Sequence, residues 1–394
     1  MVNEGETLGI IMNNSDDANQ SITGENNTQI YSGNDTITAI GEHSMAAGRD
    51  IIIQSGINPK KYAELLTQKK LLEEQLIKLN EEKNINQRKE FAGVVTNLAE
   101  KMRLDTHIDF SPNKLNQIGN AARLLGSLDI AEGHYNQALR KSRNDGDRRQ
   151  EAESINNLAT VKTLKGELEK AEEMYHQNLI FYKEIEHQQG ESGTLNNLGN
   201  IAYYRGEFNK AECLYRESLT IDRDLGRQSH EANTLNNLGD VERVKKNLDR
   251  AESYYYQSLA IKREIGNQAG EATSMSNLGL IAATRDKFDE AERIFEDSLA
   301  LRILIGDKSG QAWDYRNLGS SAAQRNDIDR AARLFEKSLR LFKEVGNRRG
   351  EMHALRDLGD IENKRSNVEE AQRLIEESLS IQKEIKYWYE DELL

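Results

Sequence analysis

The chain has 394 residues, of which 37% are hydrophobic and 30% charged, with two prolines, Pro59 and Pro112, and a mean hydropathy of -0.77. That balance excludes an ordinary globular core of this length and suits a body with much surface and little interior, built from long uninterrupted helices. A formal net charge of -13 opposes sequence-independent contact with phosphate backbones, which excludes nucleic acid as a main partner.

The N-terminus has no basic start and only a short apolar patch at Leu8, Ile10, Ile11 and Met12, too short for the core of a secretory signal. No run approaches the length needed to cross a bilayer, so no membrane partner is expected. With Cys213 as the one cysteine, an intrachain disulfide is impossible and a reduced, cytoplasmic setting is expected. Residues 1–57 form an Asn/Gly-rich, β-prone leader. Glycines at 24, 33, 41, 48 and 56 separate short runs at 28–31, 36–40 and 50–53. Short strands between such turn residues predict a small β-solenoid or β-prism, with low-complexity disorder as the alternative.

Residues 58–110 read as a helical linker, a short coiled coil and a capping helix. A helix is expected to start at Pro59 with Asn58 as its cap. Leu65, Leu72 and Leu79 recur every seven residues, with Tyr62 and Leu76 between them, as a heptad seam interrupted by Lys69 and Lys83. Strands and then a seam predict a homo-oligomer tied through residues 28–85. Phe91, Val94, Val95, Leu98 and Met102 form an amphipathic stripe expected to cover the first of the repeated units that begin at residue 112.

From residue 112 to 391 the chain repeats every forty residues, seven times. Ala131, Ala171, Ala211, Ala251, Ala291, Ala331 and Ala371 keep the period, and Leu139 to Leu379 come eight residues behind each. A third column runs from Ile118 through Leu158, Leu198, Leu238, Leu278 and Leu318 to Leu358, and the residue after it is glycine everywhere except Ala159. Apolar residues fall at three-and-four spacing in two stretches per unit, so each unit is a helix hairpin. Gly166, Gly206, Lys246, Asp286, Asn326 and Ser366 mark the turn inside a hairpin; Gly266, Gly306 and Gly346, each paired with a glycine four residues on, mark the turn between hairpins. The small residues at 199 and 211 and their equivalents let the two helices approach closely.

Leu195-Asn196-Asn197-Leu198-Gly199, then Gly206, Ala211-Glu212 and Tyr215-Arg216-Glu217-Ser218-Leu219, resemble the longer tetratricopeptide repeats of kinesin light chains and of Pins-type G-protein-signalling modulators, here in a chain expected to be prokaryotic. The resemblance implies an all-α solenoid, a right-handed superhelix of hairpins whose first helices line a concave, peptide- or protein-binding face. It places Asn157, Asn197, Asn237, Asn277 and Asn317 there, with Asn156, Asn196 and Asn236 beside them. Each carboxamide offers a donor and an acceptor to an extended peptide backbone, or else to the neighbouring unit. One turn further on lie Asn200, Tyr203 and Tyr204, then Asp240 and Arg243, with Trp313 near the start of its helix. Aromatic anchors of this kind concentrate affinity.

There is no Walker loop, no HExxH, no dinucleotide glycine fingerprint and no Gly-x-Ser-x-Gly elbow, and the seven histidines are scattered. No catalytic residue, metal or cofactor is expected, and the function predicted is a protein-interaction scaffold. Two alternatives stand beside it: a regulatory or sensor subunit of a prokaryotic signalling or defence system, suggested by the leader around Gly48-Arg49-Asp50-Ile51, and a self-assembling structural protein. The last would use residues 13–85 and an open C-terminal face beside Tyr387, Trp388 and Tyr389.

Overall fold

The computed structural model describes residues 22–23, 29–33, 36–40, 53–54, 59–82, 85–106 and 110–384. The motifs at 48–51 and 387–389 lie outside these residues. Strands β1 (Ile22–Thr23), β2 (Gln29–Gly33), β3 (Thr36–Ile40) and β4 (Ile53–Gln54) pair antiparallel in chain order. Ile30 stands opposite Ala39, and Ile37 opposite Ile53. An antiparallel meander is not the coil of a β-solenoid. The backbone of these short segments gives no support to a β-rich module over 1–57.

The described residues fall into two compact units, one ending at Leu158 and one beginning at Ala159. The first holds α1 (Pro59–Glu81), α2 (Ile85–Thr106), α3 (Pro112–Leu124) and α4 (Leu128–Asp145). Ser111 caps α3 by accepting from the Lys114 backbone N–H, and Pro112 occupies a first-turn position where its missing N–H costs nothing. Leu72, Leu76 and Leu79 are buried in one cluster with Ala92, Val95, Ala99 and Met102 of α2 and with Leu115, Ile118 and Ala121 of α3. Leu72, Leu76 and Leu79 of the heptad seam are covered from within the chain by α2 and α3. Of the stripe on α2, Val95 and Met102 are buried, Phe91 and Leu98 pack against the cluster, and Val94 is exposed.

Helix α5 (Arg148–Leu164) carries the chain from one unit to the other. The second unit continues with α6 (Leu168–Glu184), α7 (Gln188–Tyr204), α8 (Phe208–Asp224), α9 (Gln228–Val244), α10 (Leu248–Glu264) and α11 (Gln268–Thr284). It closes with α12 (Phe288–Leu304), α13 (Lys308–Gln324), α14 (Ile328–Glu344), α15 (Arg348–Lys364) and α16 (Val368–Glu384). All six residues predicted to turn the chain inside a hairpin have positive φ, between 58° at Asp286 and 75° at Gly166. Between hairpins the same conformation falls on Gly226, Gly266, Gly306 and Gly346, with Glu186 in its place before α7. The left-handed residue lets the next two N–H groups bond back to the helix: Gly226 N–H donates to Arg223 O and Arg227 N–H to Asp222 O.

The glycine column sets the hairpin. A Cβ on Gly199 would lie 2.5 Å from Cε1 of Tyr215, and one on Gly239 would lie 2.5 Å from Cε1 of Tyr255. The ring of the second helix therefore rests on the backbone of the first, and Tyr215, Tyr255, Phe295 and Phe335 are all buried. Where the ring is tyrosine, its hydroxyl bonds to a residue fifteen positions earlier: Tyr135 to Asn120 at 2.8 Å, Tyr215 to Asn200 at 2.7 Å, Tyr255 to Asp240 at 2.7 Å. Where that residue is Leu280 the ring is Phe295, so no hydroxyl is stranded in the core. A buried serine ties the same helices at a second point. Ser218 Oγ donates to Ser192 O at 3.0 Å, Ser258 Oγ to Ala232 O at 2.7 Å and Ser378 Oγ to Met352 O at 2.9 Å.

Successive hairpins of the second unit are also joined outside by ion pairs. Arg205 reaches Glu169 and Glu172, Lys245 reaches Glu212, Arg285 reaches Asp249 and Glu252, and Arg365 reaches Asp329. Solvent screening holds each such pair to about 0–1 kcal/mol.

Gly239→Val is expected to overpack the α9–α10 hairpin and cost about 1–3 kcal/mol in urea unfolding. Gly239→Ala should cost less, since Ala159 already occupies this column in the cluster around Tyr175. Equal stability of wild type and the valine variant would refute the packing role assigned to the glycine.

Candidate functional site

In the second unit, α7 approaches α9, α9 approaches α11, α11 approaches α13 and α13 approaches α15, whereas the second helices of successive hairpins keep further apart. The first helices therefore line the inner, more tightly curved side. The asparagine columns sit on them, and the structure gives their members different tasks.

In the first unit Asn157 Nδ2 donates to Asn116 Oδ1 at 3.4 Å. In the second, Asn196 Nδ2 donates to Thr234 Oγ1 at 2.8 Å, and Asn237 Nδ2 is shared between Asn196 Oδ1 at 3.3 Å and Asn200 Oδ1 at 3.4 Å. Asn236 is buried and accepts from Ser274 Oγ at 3.2 Å. Asn197 is half-buried on the same side as Asn237. Asn277 and Asn317 are half-buried, and no hydrogen bond to either amide forms among the described residues. Asn200 and Asp240 accept the tyrosine hydroxyls of the core, so both help hold their hairpins. Burial raises the Asp240 carboxyl, against the opposing charge of Arg243, which lies 4.0 Å away. Tyr203 stands edge-on to Tyr204 and to Phe208, with centroids 6.1 and 5.7 Å apart, and packs against the core.

Toward the C-terminal hairpins the lining changes from amides to aromatic and basic groups. Trp313 stands edge-on to Phe342 at 4.9 Å and meets His353 at 5.8 Å, with the Arg316 guanidinium 5.8 Å from its ring centre. Arg316 grips Asp357 through two bonds of 2.5 and 3.2 Å. Burial, with Arg316, Arg349 and Arg356 nearby, lowers His353 to a pKa of about 4.

The residues that sequence reasoning missed form a column on the second helices: Tyr182, Asp222, Lys262, Arg302 and Phe342, all buried. A core column that alternates in chemistry at a fixed forty-residue step is a signal the sequence does carry. The charged members are matched, with one exception. Asp222 accepts from Ser192 Oγ at 2.7 Å and pairs with Arg227 at 3.1 Å. Arg302 pairs with Asp307 at 2.6 Å and with Asp314 at 2.9 Å, and Asp314 also accepts from Ser276 and Ser298. Lys262 is 2% exposed, and among the described residues its Nζ reaches Ser274 Oγ alone, at 3.4 Å. The positions equivalent to Asp307 and Asp314 are Asn267 and Ser274, and among the described residues no carboxylate comes within ion-pair distance. The ammonium borders a cleft of about 370 Å³ on the inner side, lined by Asn233, Asn236, Asn237, Asn267, Thr273 and Asp307. Burial pushes Lys262 down to a pKa of about 8, with Asp240 acting weakly the other way.

Helix hairpins in a fixed forty-residue register, stacked through their first helices, define a helical-repeat protein. The chain belongs to the tetratricopeptide repeat family. The family pattern matches residues 111–179, 150–224, 230–303, 285–344 and 312–384, together more than half of the chain. A comparison with curated proteins finds no match. Among solved structures, the chain is similar to a Rap protein complexed with Competence and Sporulation Factor, at 14% identity over 83% of this chain and 99% of that one, TM-score 0.61. It is also similar to the Rap conjugation gene regulator of plasmid pLS20 in complex with the Phr* peptide, at 14% identity over 70% and 74%, TM-score 0.57. A putative kinesin light chain with TPR-like repeats from Podosopora anserina matches at 14% identity over 49% and 95%, with a TM-score of 0.39. The two Rap likenesses show the fold alone.

A pH dependence arises from Lys262. Its folded-state pKa of about 8 lies below the ordinary 10.5, so between these values the unfolded chain binds the additional proton and stability rises with pH. In Lys262→Met that rise should be absent, and the variant should be the more stable protein at pH 7.5. Urea unfolding of both proteins at pH 7.5 and 9.5 reads the difference, below the range where tyrosines titrate. Parallel pH profiles would show that the lysine is not desolvated.

Proposed function

We propose that the inner face of the second unit binds an extended peptide, or an extended segment of a protein partner, and that the role is one of recognition, not catalysis. The observation that carries this is the state of Asn277 and Asn317. They continue the amide row of Asn197 and Asn237, and among the described residues neither amide meets a hydrogen-bond partner. Half-buried amides without partners are costly unless a ligand or water meets them. A peptide backbone repeats its N–H and C=O groups along its length and so matches such a row. Trp313, beside Arg316 and His353, offers a side-chain anchor at one end. The Rap regulator solved with the Phr* peptide shows that a chain of this fold accommodates a peptide ligand.

A regulatory reading, in which the occupied groove acts on a separate chain, agrees with the same geometry. A reduced cytoplasmic setting suits the exposed, free Cys213. Self-association through residues 28–85 is not part of the proposal, since Leu72, Leu76 and Leu79 are buried within their own chain.

Selection of displayed random decapeptides on the full-length chain is expected to enrich binders. Asn277→Ala and Asn317→Ala should each weaken the selected peptides about fivefold, the value of one net hydrogen bond. Their melting temperatures should match wild type, because neither amide forms a hydrogen bond among the described residues. Failure to enrich any peptide, or undiminished binding by both variants, would remove the reading.

A further inference from the structure

We propose that Ile303 and Leu304, at the end of α12, are a docking point for a basic amphipathic helix of another protein. This surface belongs to the second helix of a hairpin, not to the first helices that carry the asparagine row, and its use stands independently of the groove.

The pair interrupts a pattern that the rest of the repeat keeps. Elsewhere the position of Ile303 is basic and reaches a glutamate at the start of the next hairpin: Arg143 to Glu151 at 2.8 Å, Lys183 to Glu191 at 3.5 Å, Arg223 to Glu231 and Arg263 to Glu271 at 2.7 Å each, and Lys343 to Glu351 at 3.7 Å. Here the base is replaced by Ile303 and the acid by Gln311, whose amide donates instead to Arg302 O at 3.1 Å. The next position is Asn144, Glu184, Asp224, Glu264, Glu344 or Glu384 in the other hairpins and Leu304 in this one. Ile303 is 56% exposed and Leu304 71%, the most of any large apolar side chain among the described residues. A single aliphatic on a surface needs no explanation. Two in succession, at positions that are polar in every other hairpin, are an apolar patch set into a charged stripe.

The charges around the patch define what fits it. Glu296, Asp297 and Ala300 are exposed and precede Ile303 and Leu304 at three-and-four spacing, so the five side chains share one face of α12. Among the described residues Asp297 has no ion pair, nor has Glu264, which holds the place of Leu304 in the preceding hairpin, and Glu296 reaches only Arg330, at 3.9 Å. The bases in the column of Ile303 are already used, Arg263 by Glu271 and Lys343 by Glu351. Arg293 is an exposed base of the same face, a turn further from the patch. Aliphatics bordered by carboxylates are matched by a helix that carries aliphatics every three or four positions with Lys or Arg beside them. A second copy of the chain is a poor occupant. It would set these carboxylates against their own kind, at a net charge of -13, and two side chains fall far short of the roughly 1,200–2,000 Å² that a stable interface buries. A single helix steered by opposite charge makes a smaller, transient contact.

A displayed library of amphipathic helices with randomised charges is selected on the full-length chain and depleted on Ile303→Lys combined with Leu304→Glu, which installs the residue types of Lys343 and Glu344. Surviving helices should carry Lys or Arg beside their aliphatics. Their fluorescein-labelled copies, read by polarisation, should bind wild type about tenfold more tightly than the double variant, as covering one leucine provides. Added salt should weaken them, and Asn277→Ala and Asn317→Ala should bind them as wild type does. The double variant should melt no lower than wild type, because its new residues are those the neighbouring hairpins already use. No helix that tells the two proteins apart, or survivors with acidic flanks, would overturn the docking point and leave the groove untouched. A lower melting temperature for the double variant would do the same, since it would mean that the fold itself holds the two aliphatics. A wild-type dimer in sedimentation, absent from the double variant, would give the patch to a second copy and overturn the proposal as well.

Discussion

A buried ring on one helix, seated on a glycine of its partner, is the contact from which the rest of the repeat is organised. Gly199 with Tyr215, Gly239 with Tyr255, Gly279 with Phe295 and Gly319 with Phe335 all bring ring carbons to within about a side-chain atom's width of the opposing backbone. Such an approach fixes the separation and rotation of the two helices. It also decides which face of the first helix remains for other uses. With Leu198, Leu238 and Leu278 turned into the core, the polar positions beside them are left on the inner side.

The inner side is then divided between holding the stack and holding a ligand. Near α7 and α9 its amides are largely taken: Asn196 bonds to Thr234, and Asn237 to Asn196 and Asn200. Further on, Asn277 and Asn317 meet no hydrogen-bond partner among the described residues, and the lining comes to include Trp313, Arg316 and His353. The same residue type in the same column thus contributes to stability in one hairpin and is left open in another. The difference lies in what the next hairpin places forty residues on.

Charges in the core obey the same logic. Burying an ion costs several kcal/mol unless a partner offsets it, and the matched groups around Arg302 and Asp222 meet that condition. Lys262 does not. A fold stabilised by a long series of repeated contacts can tolerate one such deficit, because each hairpin is supported from both sides.

The forty-residue period, the hairpins, their turn residues and the glycine column were legible in the amino-acid order, because each depends on groups a few residues apart or on a short repeating pattern. Lys246 and Ser366, for instance, occupy the left-handed positions that spacing from Gly206 requires. What the order of residues could not settle was which of several equivalent side chains are used up. Asn236 against Ser274, Asn237 against Asn196 and Ser276 against Asp314 are contacts between positions 38 to 41 apart, and a fraction of an ångström decides whether each exists. The heptad leucines make the same point. Their spacing fits a partner chain as well as a neighbouring helix, and only the tertiary structure shows α2 and α3 packed over Leu72, Leu76 and Leu79.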